Sequence, residues 1–170
     1  KVVIVTGASS GIGEACAWYF AKKGSKVVLA SRNSQKLEEI SEKMTLKGYT
    51  SLVVQADVSI EDDCKRLVDE TLRVFKGIDV LVNNAGISMR AILEEVDLSV
   101  IKRDMDVNFY GTVFCTKYAL PFLLESKGSV VGVSSIAGYK GLPGRTAYSS
   151  SKFAIQGFLE SLRIENLEKN

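Results

Sequence analysis

The chain contains no histidine. That absence removes Ser-His-Asp and Cys-His nucleophilic machinery and most catalytic zinc sites, all of which use an imidazole as base or ligand. Cysteine is scarce as well. Cys16, Cys64 and Cys115 stand far apart in helix-like stretches and form neither a disulfide framework nor a zinc spacing. They read as reduced packing residues of a cytoplasmic protein. An excess of one charge is also missing: net charge is +2 and no Lys/Arg cluster stands out, so nothing indicates nucleic acid or an anionic membrane as partner. Apolar runs fall far short of the roughly 18 residues that a membrane span needs. No signal peptide is visible. The sequence starts at Lys1, almost directly in a strand-like run, which leaves an upstream segment or membrane anchor open.

What is present suits one compact domain over residues 1–170, with 46% apolar content to build its core. Strand-length runs at Val2–Thr6, Lys26–Ala30, Leu52–Ala56, Val80–Val82 and Val130–Ser134 are β-branched and nearly continuous in apolar character. Strands buried on both faces read this way. Between them, Gly11–Lys23, Gln35–Lys47, Ile60–Phe75 and a long stretch from Ser99 to Leu124 have helical periodicity, and a last helix is predicted over Thr146–Glu168. This βαβα alternation predicts a parallel sheet covered by helices on both faces. Val130, Val131 and Val133 would leave an apolar sheet edge, a liability in a finished fold. At least one further strand is therefore expected to pair there, in a protein that continues beyond Asn170.

Thr6-Gly7-Ala8-Ser9-Ser10-Gly11-Ile12-Gly13 follows the first strand and opens the first helix. Glycine permits a tight turn and close backbone approach to a pyrophosphate, and a helix N-terminus offers that anion unpaired N–H groups. Gly7, Ser9, Ser10, Gly11, Ile12 and Gly13 are accordingly candidate dinucleotide contacts; the plain alternative is a turn with close helix–strand packing. The second strand ends at Ser31-Arg32-Asn33, and Arg32 lies nineteen residues past Gly13. An acidic residue there would bond a ribose 2′-hydroxyl, whereas an arginine can pair with a 2′-phosphate. The reading is NADP(H) in preference to NAD(H), against a surface arginine at a strand end.

Tyr148 and Lys152 are four residues apart in the last predicted helix, and so share one face. A cation about 4 Å from a phenol, at an effective dielectric of about 20, favours the ionised form by about 4 kcal/mol. That is the scale needed to make a phenol an acid/base group near neutral pH. Two other patterns are decoys. Gly7-Ala8-Ser9-Ser10-Gly11 matches the nucleophile elbow G-x-S-x-G but lacks its histidine base, and Ser149 with Lys152 matches S-x-x-K without its companion S-D-N and K-T-G motifs.

Taken together, the chain resembles the short-chain dehydrogenase/reductase family. The resemblance rests on Thr6–Gly13, Asp57-Val58 after the third strand, Asn83-Asn84-Ala85-Gly86 after the fourth, Asn108, Ser135, and Tyr148 with Lys152. Ser135 precedes Tyr148 by thirteen residues. It implies a three-layer Rossmann-type α/β fold, doubly wound, with strand order 3-2-1-4-5 and further C-terminal strands beyond this chain. It implies NADP(H)-type cofactor binding and reversible hydride transfer between a nicotinamide and a ketone/secondary-alcohol pair. Carried over, Gly7, Gly11 and Gly13 flank the pyrophosphate, Asp57 and Val58 approach the adenine, and Asn83, Ala85 and Gly86 pass the adenosine ribose. Asn108, Ser135, Tyr148 and Lys152 form the catalytic set, with Tyr148 and Lys152 also touching cofactor, Ser135 holding the substrate oxygen and Ser134 pointing away. Family practice makes the helix of Asn108 and that of Tyr148 a dimer interface, in a homodimer or homotetramer. Phe114, Cys115, Phe122, Phe153, Phe158 and Leu162 would supply it or belong to the core. Loops carrying Ile87, Ser88, Met89, Ile136, Ala137, Tyr139 and Leu142 read as a largely apolar substrate lining, without paired arginines. A lipophilic ketone or alcohol fits that lining better than a phosphorylated or dicarboxylic substrate. The alternative is a non-catalytic NADP(H)-binding sensor or scaffold of the same fold.

Overall fold

The computed structural model describes residues 1–168; the end of the stretch assigned to one domain, 169–170, lies outside them. Five strands, β1 (Val2–Thr6), β2 (Lys26–Ser31), β3 (Ser51–Gln55), β4 (Val80–Asn83) and β5 (Ser129–Gly132), form one parallel sheet in the order β3-β2-β1-β4-β5. Its helices are α1 (Gly11–Lys22), α2 (Ser34–Thr45), α3 (Glu61–Phe75), α4 (Leu98–Asp104), α5 (Gly111–Glu125) and α6 (Thr146–Glu165).

Alternation within β1 shows why its residues are all apolar. Val2 and Ile4 face one core with Val28, Val54, Leu67, Leu81 and Leu123; Val3 and Val5 face another with Leu29, Leu37, Ile40 and Met44. Both faces are buried, so strand order and layers follow the expected doubly wound arrangement. Cys64 on α3 and Cys115 on α5 are both fully buried in the first core. A hydrogen bond with Cys64, together with burial, pushes the Cys115 thiol well above its ordinary range. Sequence distance hid that these two cysteines meet; both are packing residues of the α3–α5 contact.

Three expectations change. β5 stops at Gly132: the Val133 N–H donates to Asn83 O at 2.9 Å as the last rung, and the Ser134 and Ser135 hydroxyls accept from Gln156 and the Ala137 N–H instead. It is an outer strand, with Val131 43% exposed. The long predicted helix begins as α4 and passes through a π-helical segment, Met105–Tyr110, before continuing as α5. At the junction Gly111 meets α3's approach: a Cβ there would stand 2.7 Å from Val58 Cγ2. Finally, α6 ends at Glu165 rather than Glu168. Among the described residues no helix is long and apolar enough to cross a membrane.

Candidate active site

At the carboxyl end of the sheet, the β1–α1 turn bends through positive φ at Gly7 (66°) and Gly11 (56°). Each requirement for glycine is physical. A Cβ on Gly7 would lie 2.8 Å from Asn84 Nδ2, and one on Gly13 would lie 2.3 Å from the Gly7 carbonyl oxygen. A Cβ on Gly11 would meet nothing within 4 Å, because Gly11 borders an open cleft. Ser10 caps α1 in extended geometry without a side-chain hydrogen bond, so the first turn presents its N–H groups to the cleft uncapped.

The cleft encloses about 570 Å³. Gly7, Ser9, Ser10, Gly11 and Ile12 form one wall, Ser31, Arg32 and Asn33 the mouth, Asp57 and Val58 a second wall, and Ala85 and Gly86 the end nearest β4. Gly13 is buried behind the turn, where it allows the close approach of α1. Arg32 reaches Asp57 at 3.8 Å, its side chain 58% exposed. Asp57 is further held by Ser59, whose N–H and hydroxyl both donate to its Oδ1 (3.0 and 2.7 Å). Its own N–H donates to Asp63 Oδ2 at 2.8 Å, the largest cause holding the Asp63 carboxyl below its usual range. Asn33 caps α2, its Oδ1 accepting from the Lys36 N–H at 3.0 Å.

One assignment needs correction. Asn83 does not line the cleft: it is buried, and its Nδ2 donates to Thr116 Oγ1 at 3.0 Å. The strand end turns its side chain into the α5 packing, and Asn84 takes the place in the cleft. Asn84 Nδ2 donates to the carbonyls of Thr6 (2.9 Å) and Gly7 (3.3 Å), while its N–H and that of Ala85 both donate to Thr6 Oγ1 at 3.0 Å. This clasp holds the glycine turn against the end of β4. Reading outward from the doubled asparagine could have flagged Asn84; Ala56, Ile87 and Val107, which also line the cleft, carry no comparable signal.

Beyond Gly86 stands the second group of candidates. A Cβ on Gly86 would be 3.2 Å from Asn108 Oδ1 and 3.7 Å from Lys152 Nζ, so both side chains converge on the inner end of the cleft. Asn108, on the π-helical segment, is fully buried; its Oδ1 accepts from the Ile87 N–H (2.8 Å) and its Nδ2 donates to Ile87 O (3.0 Å) and Ser151 Oγ (2.9 Å). Lys152 is 5% exposed; its ammonium donates to Val133 O at 2.7 Å and lies 5.7 Å from the Tyr148 ring centre, on the same face of α6. Burial lowers the Lys152 pKa, and the carboxylate of Asp104 opposes that shift. Ser135, half-buried, caps the short 3-10 turn Ile136–Gly138 that packs on α6 and accepts from Ala137 N–H at 3.2 Å. Ser134 turns elsewhere and accepts from Gln156 Nε2 at 3.0 Å. Ser149, the decoy, is buried, its Oγ accepting from the Leu142 N–H at 3.4 Å.

Of the apolar lining read from the loops, Ile136 and Tyr139 are 69% and 74% exposed, while Ala137 and Met89 are buried. Among the residues that could serve an interface or the core, Cys115 is core, Phe114 and Phe122 pack against it, and Phe153 is exposed.

The chain is similar to known proteins over almost its whole length. The family model described as short chain dehydrogenase matches residues 1–170. The chain is 45% identical over 167 residues to 11-beta-hydroxysteroid dehydrogenase A of Sesamum indicum, covering 97% of this chain and 48% of that protein. It is 43% identical, at the same coverage, to 11-beta-hydroxysteroid dehydrogenase 1A of Arabidopsis thaliana. The chain thus spans about half the length of these relatives. Among solved structures, an alcohol dehydrogenase of the archaeon Thermococcus sibiricus, complexed with 5-hydroxy-NADP, superposes with a TM-score of 0.96 at 30% identity, over 98% of this chain and 71% of that one. With a glycine-turned cleft, the 3-2-1-4-5 sheet and the full-length family match in agreement, the chain belongs to the short-chain dehydrogenase family of oxidoreductases.

Proposed function

We propose that this chain forms the dinucleotide-binding and catalytic domain of an NADP(H)-dependent dehydrogenase that interconverts a lipophilic ketone and its secondary alcohol. The observation that carries the reading is the convergence of Lys152 and Asn108 on Gly86, at the inner end of the cleft, with Tyr148 on the Lys152 face of α6. The cleft suits the cofactor: its turn admits no Cβ at Gly7 and its uncapped α1 terminus faces an anion. Arg32 at the mouth is the group for a 2′-phosphate, drawn there in competition with Asp57. The relatives named as hydroxysteroid dehydrogenases and the neighbour complexed with 5-hydroxy-NADP support the substrate and cofactor classes.

When bound, the nicotinamide supplies or accepts the hydride. Tyr148 gives a proton from its hydroxyl to the carbonyl oxygen in reduction, and takes one from the alcohol in oxidation. Ser135 donates a hydrogen bond to the same oxygen as negative charge develops on it. Lys152, held by Val133 O, keeps two N–H donors for the cofactor ribose and for proton exchange. Asn108 keeps the Ile87 backbone and Ser151 in place and relays protons from the solvent side. A second copy of the chain is proposed to cover Phe153, on the exposed side of α6.

NADPH oxidation with a panel of apolar ketones tests the proposal. Tyr148→Phe is expected to lower turnover by about 10²–10⁴-fold while NADPH binding stays nearly unchanged. Undiminished turnover in that variant would remove Tyr148 from the reaction.

A further inference from the structure

Asp104 closes α4 and is 1% exposed, yet its Oδ2 has no hydrogen-bond partner among the described residues. An ionisable group so buried and unmatched is costly in an ordinary core, where an apolar side chain would serve better. Its position has a direction. Asp104 precedes Asn108 by four residues, so it lies one turn before the amide that bonds Ser151 of α6. α4 and the π-helical segment both pack against α6. Arg145 stands at the N-cap of α6, and Tyr148 and Lys152 follow on the helix four residues apart, on one face.

The charged groups that act on Asp104 are Arg103 on its own helix, Arg145 at the N-cap of α6 and Lys152 on α6. None of them bonds it. Arg145 is committed to the loop after β4, donating to Ser88 Oγ and to Met89 O (2.9 Å), and Lys152 donates to Val133 O. Within the π-helical segment, Asp106 pairs with Lys102 and Tyr110 stacks on Phe114, so both are engaged elsewhere. The hydrogen bonds of Arg145 and Lys152 are spent on loop and backbone, so any action of Asp104 on them is through space.

The geometry points to Asp104 as a positioning residue that supplies the counter-charge for Lys152 and so keeps that buried amine protonated through the working pH range. The inference deepens the proposed reaction and rests on the roles given there to Lys152 and Tyr148. Two directions support it: burial raises the Asp104 carboxyl while Lys152 and Arg145 lower it, and burial lowers Lys152 while Asp104 raises it. Removing the anion leaves only the lowering influence on Lys152. The amine then loses its proton at lower pH, and the alkaline limb of activity moves to lower pH with it.

The test uses Asp104→Asn, which keeps the shape, and Asp104→Val, which keeps an apolar fill. The first readout needs no turnover: nitrogen NMR of lysine-labelled chain follows the Lys152 amine through a pH titration. Its midpoint is expected to fall in both variants, with the near-UV circular dichroism of the parent chain retained. An unmoved midpoint in a natively folded variant overturns the proposal. The second readout is the pH profile of kcat/KM for NADPH-dependent reduction, in which the alkaline limb should descend with the amine and the rate at mildly alkaline pH should drop by about three- to tenfold. A uniform loss of rate with the limb in place would mark Asp104 as structural and refute the role. A parent chain inactive on every ketone, but with a displaced Lys152 midpoint in the variants, would count against the reduction while supporting the counter-charge.

Discussion

Along the carboxyl edge of the sheet, the half built on β1–β3 and the half built on β4–β5 are made of different materials. The first shapes its cleft with backbone: two positive-φ glycines, a third against the Gly7 carbonyl, and an uncapped helix start. Thr6, and Asn84 from the end of β4, clasp the turn, and every donor in that clasp is matched. The second half depends on side chains held in one another's reach: Asn108 to Ser151, Lys152 to a strand-end carbonyl, Arg145 to a loop, and Asp104 to none. Binding an anion needs exclusion of Cβ atoms, which glycine supplies at specific positions. Moving a proton needs charges tuned by their neighbours, and that tuning tolerates an unmatched buried acid.

Breaking the backbone half should have the larger effect on the fold. In Gly13→Ala the new methyl meets a carbonyl oxygen that cannot step aside, at 2.3 Å; a loss of about 3 kcal/mol or more is expected from urea unfolding. A milder change at the mouth comes next. Arg32→Asp should weaken NADPH binding by about tenfold or more and leave NADH binding much less affected, as read by fluorescence titration of each cofactor; equal losses for both would detach Arg32 from the 2′-phosphate. The smallest effect is expected at Gly11, where a methyl meets open space and only the φ of 56° resists it. Gly11→Ala should cost about 1 kcal/mol in the same unfolding experiment. If Gly11→Ala and Gly13→Ala cost the same, the distinction between a clash and a merely strained turn collapses.

The backbone half was readable from the sequence, and the reason is physical. A glycine required by φ or by close approach cannot be replaced by another residue, so its spacing survives in the string; Gly7, Gly11 and Gly13 announce the turn directly. Short β-branched strands announce a sheet buried on both faces for the same reason. By spacing, the side-chain half was legible only as far as Tyr148 and Lys152, whose separation of four fixes a shared face; Asn108 and Ser135 entered through the family resemblance. Asn83 and Asn84 could not be told apart, because on a strand buried on both sides alternation does not say which neighbour turns to the cleft. Asp104 carried no signal, since its isolation depends on packing between α4 and α6 that sequence spacing does not reveal. The meeting of Cys64 with Cys115 was hidden likewise.

The π-helical segment ties these observations together. Within it the chain presents Asn108 toward Ile87 and Ser151; downstream, Thr116 receives Asn83 and Cys115 meets Cys64. An α-helix advances about 100° per residue, so the same residues wound regularly, without the widened turn, would swing everything after it by about that angle relative to what precedes it. One continuous rod thus serves two clients that regular winding could not satisfy together, and its irregularity works as a phase adjuster between the sheet's interior and the face that bonds Ile87 and Ser151.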